Sequence, residues 1–245
     1  MTINKEQRKN KILEAIITIH IDTALPVGSK QVSKLLDLSS ATIRNFMYEL
    51  EREGYIKQPY TSAGRIPTDH GYRRYVDSIL SFHNISREDI VRKAAQYIAK
   101  KKFFEEVIEA ISCAISRLTN YTGLALSPNN RLYFDGTYHM LEQPEFKHMG
   151  AACDFLRAME EREEILHIMS SNLSVKRATI IRIGRENLFK ELKECTIITS
   201  AYRFKNRVSG NIGLIGPMRM RYKEVVPIVE DIASLTSRLL EDISL

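Results

Sequence analysis

Arg44 and Asn45 stand side by side in the run SSATIRNFMYELEREGYI, residues 39–56, with Ser39, Ser40, Ala41, Thr42 and Tyr48 close by. A guanidinium takes guanine bidentately, a carboxamide takes adenine, an alanine methyl meets a thymine methyl, and hydroxyls reach phosphate or base edges. Presented together on one helix face, these groups suit the major groove of DNA. At 100° per residue, Ile43, Phe46, Met47 and Leu50 share one sector at the i, i+3, i+4, i+7 spacing of a core-facing helix. Ala41, Arg44, Asn45, Tyr48 and Arg52 fall on or beside the opposite face. Ser39 or Ser40 supplies an N-cap hydroxyl, and Gly54 a C-terminal stop. Alone, such a face is more often simply solvated, so the flanking elements decide between the two readings.

Those flanks have the pattern that would position the helix. A first helix is expected from about Lys5 to Ile21, with Ile12, Ile16 and Ile19 on one side. The loop DTALPVG follows, then a short helix from Ser29 to Leu36 that turns Val32, Leu35 and Leu36 inward. The link DLS, residues 37–39, joins it to the helix above, which is a helix-turn-helix arrangement. After Gly54, YIKQPY predicts a strand, TSAGR a turn and IP a returning segment. That hairpin reads as a wing, with Arg65 at its tip beside Thr61, Ser62 and a flexible Gly64, suited to backbone or minor-groove contact.

Beyond Thr68, which caps a further helix, helical patterns run over about 86–102 and 103–120. From Tyr121 strands appear at 122–127, 178–183, 196–204 and 211–216, with helical material at 144–169, so a separate α+β domain is expected. KNRVSG, residues 205–210, reads as the turn between the last two strands. A closing helix carries Val229, Ile232, Ala233, Thr236, Leu240 and Ile243 at helical period, and Pro227 requires it to begin nearby. The resulting domains are 1–83, a DNA-binding domain; 84–120, a helical connector and candidate dimerisation region; and 121–245.

Composition narrows the classes. The 245 residues are 44% hydrophobic and 27% charged, a globular balance with room for two domains. The net charge of +6 admits an anionic partner but locates nothing, since residues 1–83 hold 12 Lys and Arg against 9 Asp and Glu, much the same excess as the remainder. Cys113, Cys153 and Cys195 form no CxxC and suit neither a zinc site nor a disulfide framework; three reduced, mostly buried thiols are expected. ILEAIITIHI at 12–21 is interrupted by Glu14 and His20, which favours an amphipathic helix over a signal peptide, and no run reaches membrane-spanning length. The six histidines include no HExxH, and GLIGP lacks the spacing of a phosphate-binding loop. No catalytic constellation, metal site or cofactor is expected, and the chain reads as a cytoplasmic protein that is not an enzyme.

The segment LSSATIRNFMYELEREGYIKQPYTSAGRIPTDHGYRRYVD, residues 38–77, closely resembles the signature of HrcA, a family of bacterial heat-inducible transcription repressors. LEQPEF (141–146), IRIGRENL (181–188) and GLIGPMRMRYKEVV (213–226) are similar to that family's C-terminal landmarks, in the same order. The resemblance implies a winged-helix domain, a GAF-like domain, and a homodimer on an inverted-repeat operator, CIRCE, ahead of chaperone genes. It also implies that the GroE chaperonin helps hold the repressor active, so that chaperonin engaged by unfolded protein means derepression. Position 46 is Phe where the family usually carries an acidic residue; on the helical wheel it joins the apolar face and is expected to pack. Between TGLALSPNNRL and YFDGTYHMLEQPEF the chain lacks a long block that in the family covers strands of the GAF-like domain and an inserted domain linked to dimerisation. The GAF-like domain is therefore expected to be reduced. The dimer is expected on other surfaces, such as the 86–120 helices or the C-terminal helix. A second reading is a small-molecule-responsive winged-helix regulator with the GAF-like domain as sensor.

Overall fold

The computed structural model describes residues 4–80, 88–98, 101, 103–171, 179–205 and 207–243. It is a mixed α+β chain that divides into two compact units, Met1–His83 and Asn84–Leu245.

In the first unit, α1 (Lys5–Thr23), α2 (Ser29–Leu36) and α3 (Ser40–Arg52) are followed by the strands β1 (Ile56–Lys57) and β2 (Ile66–Pro67) and by α4 (Asp69–Leu80). Local chemistry sets these boundaries. Asn4 and Gln7 form a capping box on α1, and Ala24 closes it in the left-handed region. Asp37, at φ 52°, ends α2, and the Ser33 hydroxyl donates to the Leu38 carbonyl at 2.6 Å, pinning the link into α3. Ile12, Ile16, Val32, Ile43, Leu50 and Val76 meet in the core. Leu35 does not join them: it is 59% exposed. An eight-residue helix has two turns, and Val32 already takes the buried side.

The β1–β2 hairpin is antiparallel, with Ile56 opposite Pro67 and Lys57 opposite Ile66. A bridge to the α1–α2 loop extends it: Val27 and Arg65 exchange both backbone hydrogen bonds, at 2.8 and 2.9 Å. Arg65 therefore lies on the returning arm of the hairpin, immediately before β2, and not at the tip, which is the turn at 60–63. Nor is Gly64 there for flexibility: a Cβ would sit 2.5 Å from the Val27 carbonyl oxygen, so glycine permits the close approach of two backbones.

The second unit contains α5 (Glu88–Ile98), α6 (Phe104–Thr119), β3 (Thr122–Leu126), β4 (Leu132–Asp135), α7 (Tyr138–Leu141), α8 (Met149–Glu161), α9 (Glu163–Ser171), β5 (Thr179–Ile183), β6 (Cys195–Phe204), β7 (Arg207–Pro217) and α10 (Tyr222–Ile243). Its five-stranded sheet has the order β4-β3-β7-β6-β5, antiparallel throughout. Helices α6 and α10 pack on one face. On the other, Leu124, Leu126, Ile197 and Ile215 meet Phe155 and Met159 of α8 and Ile165, Ile168 and Met169 of α9. Both faces are covered, and β3 is accordingly buried along its whole length.

The strand β4 escaped the sequence reading, being four residues long beyond a turn. The expected KNRVSG turn is also shorter than it looked: Phe204 pairs with Arg207, so the last four of those residues belong to β7, which then runs to Pro217. Asn206 lies outside the described residues. Pro227 stands inside α10, past its first turn, where the missing amide removes one helical bond. Of the three free thiols only Cys195 is buried; Cys113 is half-buried and Cys153 exposed, against the expectation of mostly buried cysteines.

Candidate nucleic-acid interface

Helix α3 carries most of the residues singled out above. The Ser39 hydroxyl accepts from the Thr42 amide at 3.1 Å and lies 2.8 Å from the Thr42 hydroxyl. At the other end, the Gly54 amide donates to Glu51 and the Tyr55 amide to Leu50, a Schellman closure made possible by Gly54 at φ 80°. Between these caps Ile43, Phe46, Met47 and Leu50 are buried, and Phe46 packs as expected. Ala41, Arg44, Asn45 and Tyr48 are exposed, Tyr48 by 67%, while Ser40 and Thr42 are half-buried at the helix start. The Arg44 Nε donates back to the Ser40 carbonyl at 3.2 Å, which lays the guanidinium along the outer side of the first turn.

Thr61 and Ser62 are exposed at the hairpin turn, Ser62 in the left-handed region at φ 67°. Arg65 is half-buried, and its guanidinium holds the Glu51 carboxylate, with Nε at 3.0 Å and Nη2 at 2.9 Å. The other oxygen of Glu51 accepts from the Gln58 amide at 3.1 Å. One carboxylate on α3 thus grips both arms of the hairpin. Glu51 is not legible from the sequence, since nothing in local spacing connects it with a residue fourteen positions on. Two further residues that no pattern singles out are Tyr60, 66% exposed at the turn, and Lys57, exposed on β1; the aromatic and the cation flank the turn residues already named.

Behind α3 an ionic cluster fixes its orientation within the unit. Lys9 is buried and donates to both oxygens of Glu53 at 2.9 Å, and it meets Glu6 at 3.0 Å. Arg74 joins Glu6 and Asn10, donates to the Tyr55 hydroxyl at 2.7 Å and lies over the Tyr55 ring. Hydrogen bonding to Glu53 raises the Lys9 pKa despite burial, and bonds from Lys9 and Arg74 hold Glu6 below the usual carboxylate range. The cluster ties the start of α1 to the end of α3 and to α4.

Two C-terminal landmarks have structural explanations. In IRIGRENL the Glu186 carboxylate accepts from the Ile183 amide, and the buried Asn187 side-chain Nδ2 lies 3.0 Å from each of the Gly184, Leu192 and Cys195 carbonyl oxygens, its two hydrogens shared among the three. These bonds fix the crossing from β5 to β6. LEQPEF and GLIGPMRM are tied together by Arg219, which contacts Glu145 at 2.7 Å and Gln143 at 3.2 Å.

Fold and surface define an α+β protein with a small, mainly helical N-terminal unit, whose hairpin stands beside an exposed polar helix face, ahead of an antiparallel sheet between helical layers. The family profile of the HrcA protein C terminal domain matches residues 82–226, and the chain belongs to the HrcA family of heat-inducible transcription repressors. It is 30% identical to the heat-inducible transcription repressor HrcA of Geobacter sulfurreducens over 336 residues, covering 96% of this chain and 98% of that protein. It is 28% identical to the Acetivibrio thermocellus protein of the same name over 326 residues, covering 91% and 93%. Both alignments are longer than the 245 residues of this chain, so the relatives carry stretches with no counterpart here. A crystal structure of a hypothetical protein shares the fold at TM-score 0.79 and 20% identity, covering 99% of this chain and 100% of that one. Among the described residues no helix is long and apolar enough to cross a membrane.

Proposed function

We propose that this chain represses heat-shock chaperone genes by occupying an inverted-repeat operator of the CIRCE type as a homodimer, without catalysis. Residues 1–83 act as a winged-helix DNA-binding domain, and 84–120 lead into the reduced GAF-like domain of 121–245, with α6 packed on its sheet in place of a free-standing connector. The observation that carries this reading is the division of α3: its apolar side is buried, while Arg44, Asn45 and Tyr48 face outward next to an exposed hairpin turn. In the major groove Arg44 takes guanine, Asn45 adenine, and Ala41 a thymine methyl; Ser39, Ser40, Thr42 and Tyr48 reach phosphates or base edges. Thr61 and Ser62 approach the backbone or minor groove from the wing. Arg65, held by Glu51, sets where the wing lies.

Between the sheet and α8–α9 the space is filled by Leu124, Phe155, Met159 and Met169, which supports a packing role for this layer in preference to ligand sensing. The GroE chaperonin acts on the repressor itself, raising the share of molecules able to bind DNA. A footprint on DNA upstream of the organism's chaperone genes tests the core of the reading. Two protected half-sites related by symmetry are expected, and protection indistinguishable from that on random DNA overturns it. Added chaperonin should raise the binding-competent fraction; an unchanged fraction removes that part of the mechanism.

A further inference from the structure

Helix α8 is apolar on two sides. Phe155, Ala158 and Met159 are buried in the core beneath it. Met149, Cys153 and Leu156, at the i, i+4, i+7 spacing, line its outer side, with Met149 79% and Leu156 37% exposed and Cys153 exposed. A surface helix ordinarily turns polar residues to solvent there. The apolar excess is also concentrated. Of the exposed large hydrophobic residues in the second unit, Tyr138, Leu141, Met149, Leu156 and Leu188 belong to α7, α8 and the segment leading into the short turn 190–192 that packs on α8; Tyr97, Phe103 and Val208 are the others.

Charge indicates what covers this face. The exposed Lys147 and His148 stand at the N-terminal end of α8, and the exposed Glu160 and Glu161 at its C-terminal end; between them Asp154 and Arg157 pair with each other at 4.0 Å, and the C-capping Arg162 lies over the Phe134 ring. That arrangement opposes the helix's own dipole, which favours acids at the start and cations at the end. It is complementary, however, to the same helix running the other way. Lys147 precedes Cys153 by about as many residues as Glu160 follows it, so an antiparallel pair crossing near Cys153 sets the basic end of each helix beside the acidic end of the other and stacks the apolar residues between them. A contact of this kind is isologous, as a closed two-fold dimer requires.

We propose that two copies of this chain associate through α8, antiparallel, with Cys153 at the crossing. This names the surface of the dimer proposed above, at a place other than the 86–120 or C-terminal helices, and it rests on that reading only for its biological use, because association is measured without DNA. Sedimentation of the full chain at micromolar concentration should give a dimer, and Met149→Glu and Leu156→Glu should each weaken it at least tenfold. Independently of any variant's folding, a short thiol-specific bismaleimide should yield a covalent dimer from the unmodified protein and from Cys113→Ser, and none from Cys153→Ser. A monomeric wild-type chain overturns the proposal. So does a dimer that survives both charge substitutions and does not cross-link through Cys153; if that protein still protects two symmetric half-sites, the operator reading stands while this surface falls.

Discussion

The Glu51 carboxylate and the Arg65 guanidinium meet at 2.9 Å, joining the last turn of α3 to the returning arm of the β1–β2 hairpin. With the Gln58 amide on the same carboxylate, α3 and hairpin form one body, so their relative placement is inherited by anything that touches both. Glu51→Ala and Arg65→Ala should therefore be coupled in a double-mutant cycle of stability by about 1 kcal/mol, near the upper end for pairs that keep some solvent contact. On the proposed function, each single variant should also weaken binding to specific and random DNA alike, through misplacement of the hairpin. Additive stabilities would show that the ion pair does not hold the hairpin.

Arg44 makes the opposite kind of prediction. Its side chain is exposed and its Nε bond to the Ser40 carbonyl is easily exchanged for one to a base. Arg44→Ala should cost about 1 to 3 kcal/mol in operator affinity and relax the preference at one base position, with little effect on random DNA. Equal losses on both DNAs in a titration would assign it to the backbone.

What the sequence disclosed follows the reach of each interaction. The buried set Ile43, Phe46, Met47 and Leu50 was legible because a helical period repeats within one element, and the Ser39 and Gly54 caps because each acts within a few residues. Leu35 was misplaced because periodicity says little in a two-turn helix. Local pattern alone points Arg65 to the hairpin tip, whereas its position depends on pairing with Val27, nearly forty residues earlier, for which no local pattern exists. The Glu51 contact and the Arg219 link to Glu145 are likewise long-range and left no trace in spacing. The strands β3, β6 and β7 were found as apolar runs, while β4 was too short to show one.

Gly54 and Gly64 are required for different reasons, and substitution separates them. At Gly54 a Cβ would meet nothing within 4 Å, but φ is 80°, so Gly54→Ala should cost about 1 kcal/mol, and Gly54→Asn less, because asparagine tolerates the left-handed region. At Gly64 the Cβ would strike backbone atoms of Val27 at 2.5 Å and Pro26 at 2.9 Å. Gly64→Ala should cost about 1 to 3 kcal/mol, with Gly64→Asn no better, because the loop and hairpin must part. Thermal unfolding of the four variants checks this, and rescue of position 64 by asparagine would contradict the clash.

The ionic cluster behind α3 gives the first unit a pH dependence whose sign can be worked out. Hydrogen bonds from Lys9 and then Arg74 hold Glu6 below the ordinary carboxylate range, so its contribution is present above the unfolded pKa and is lost as pH falls through the lower folded value. Lys9, raised chiefly by its bond to Glu53, contributes fully below the unfolded lysine pKa and loses that contribution only as pH rises through a still higher folded value. Glu6 remains about half exposed, so solvent screening keeps its effect small. The melting-temperature gap between wild type and Glu6→Gln should therefore be constant from neutral pH down to about 5 and close below about pH 4, whereas that for Lys9→Met should hold through neutrality and, on the alkaline side, shrink above about pH 10. A Glu6→Gln gap that persists undiminished at pH 3 would mean that the carboxylate's charge is not what joins α1 to α4.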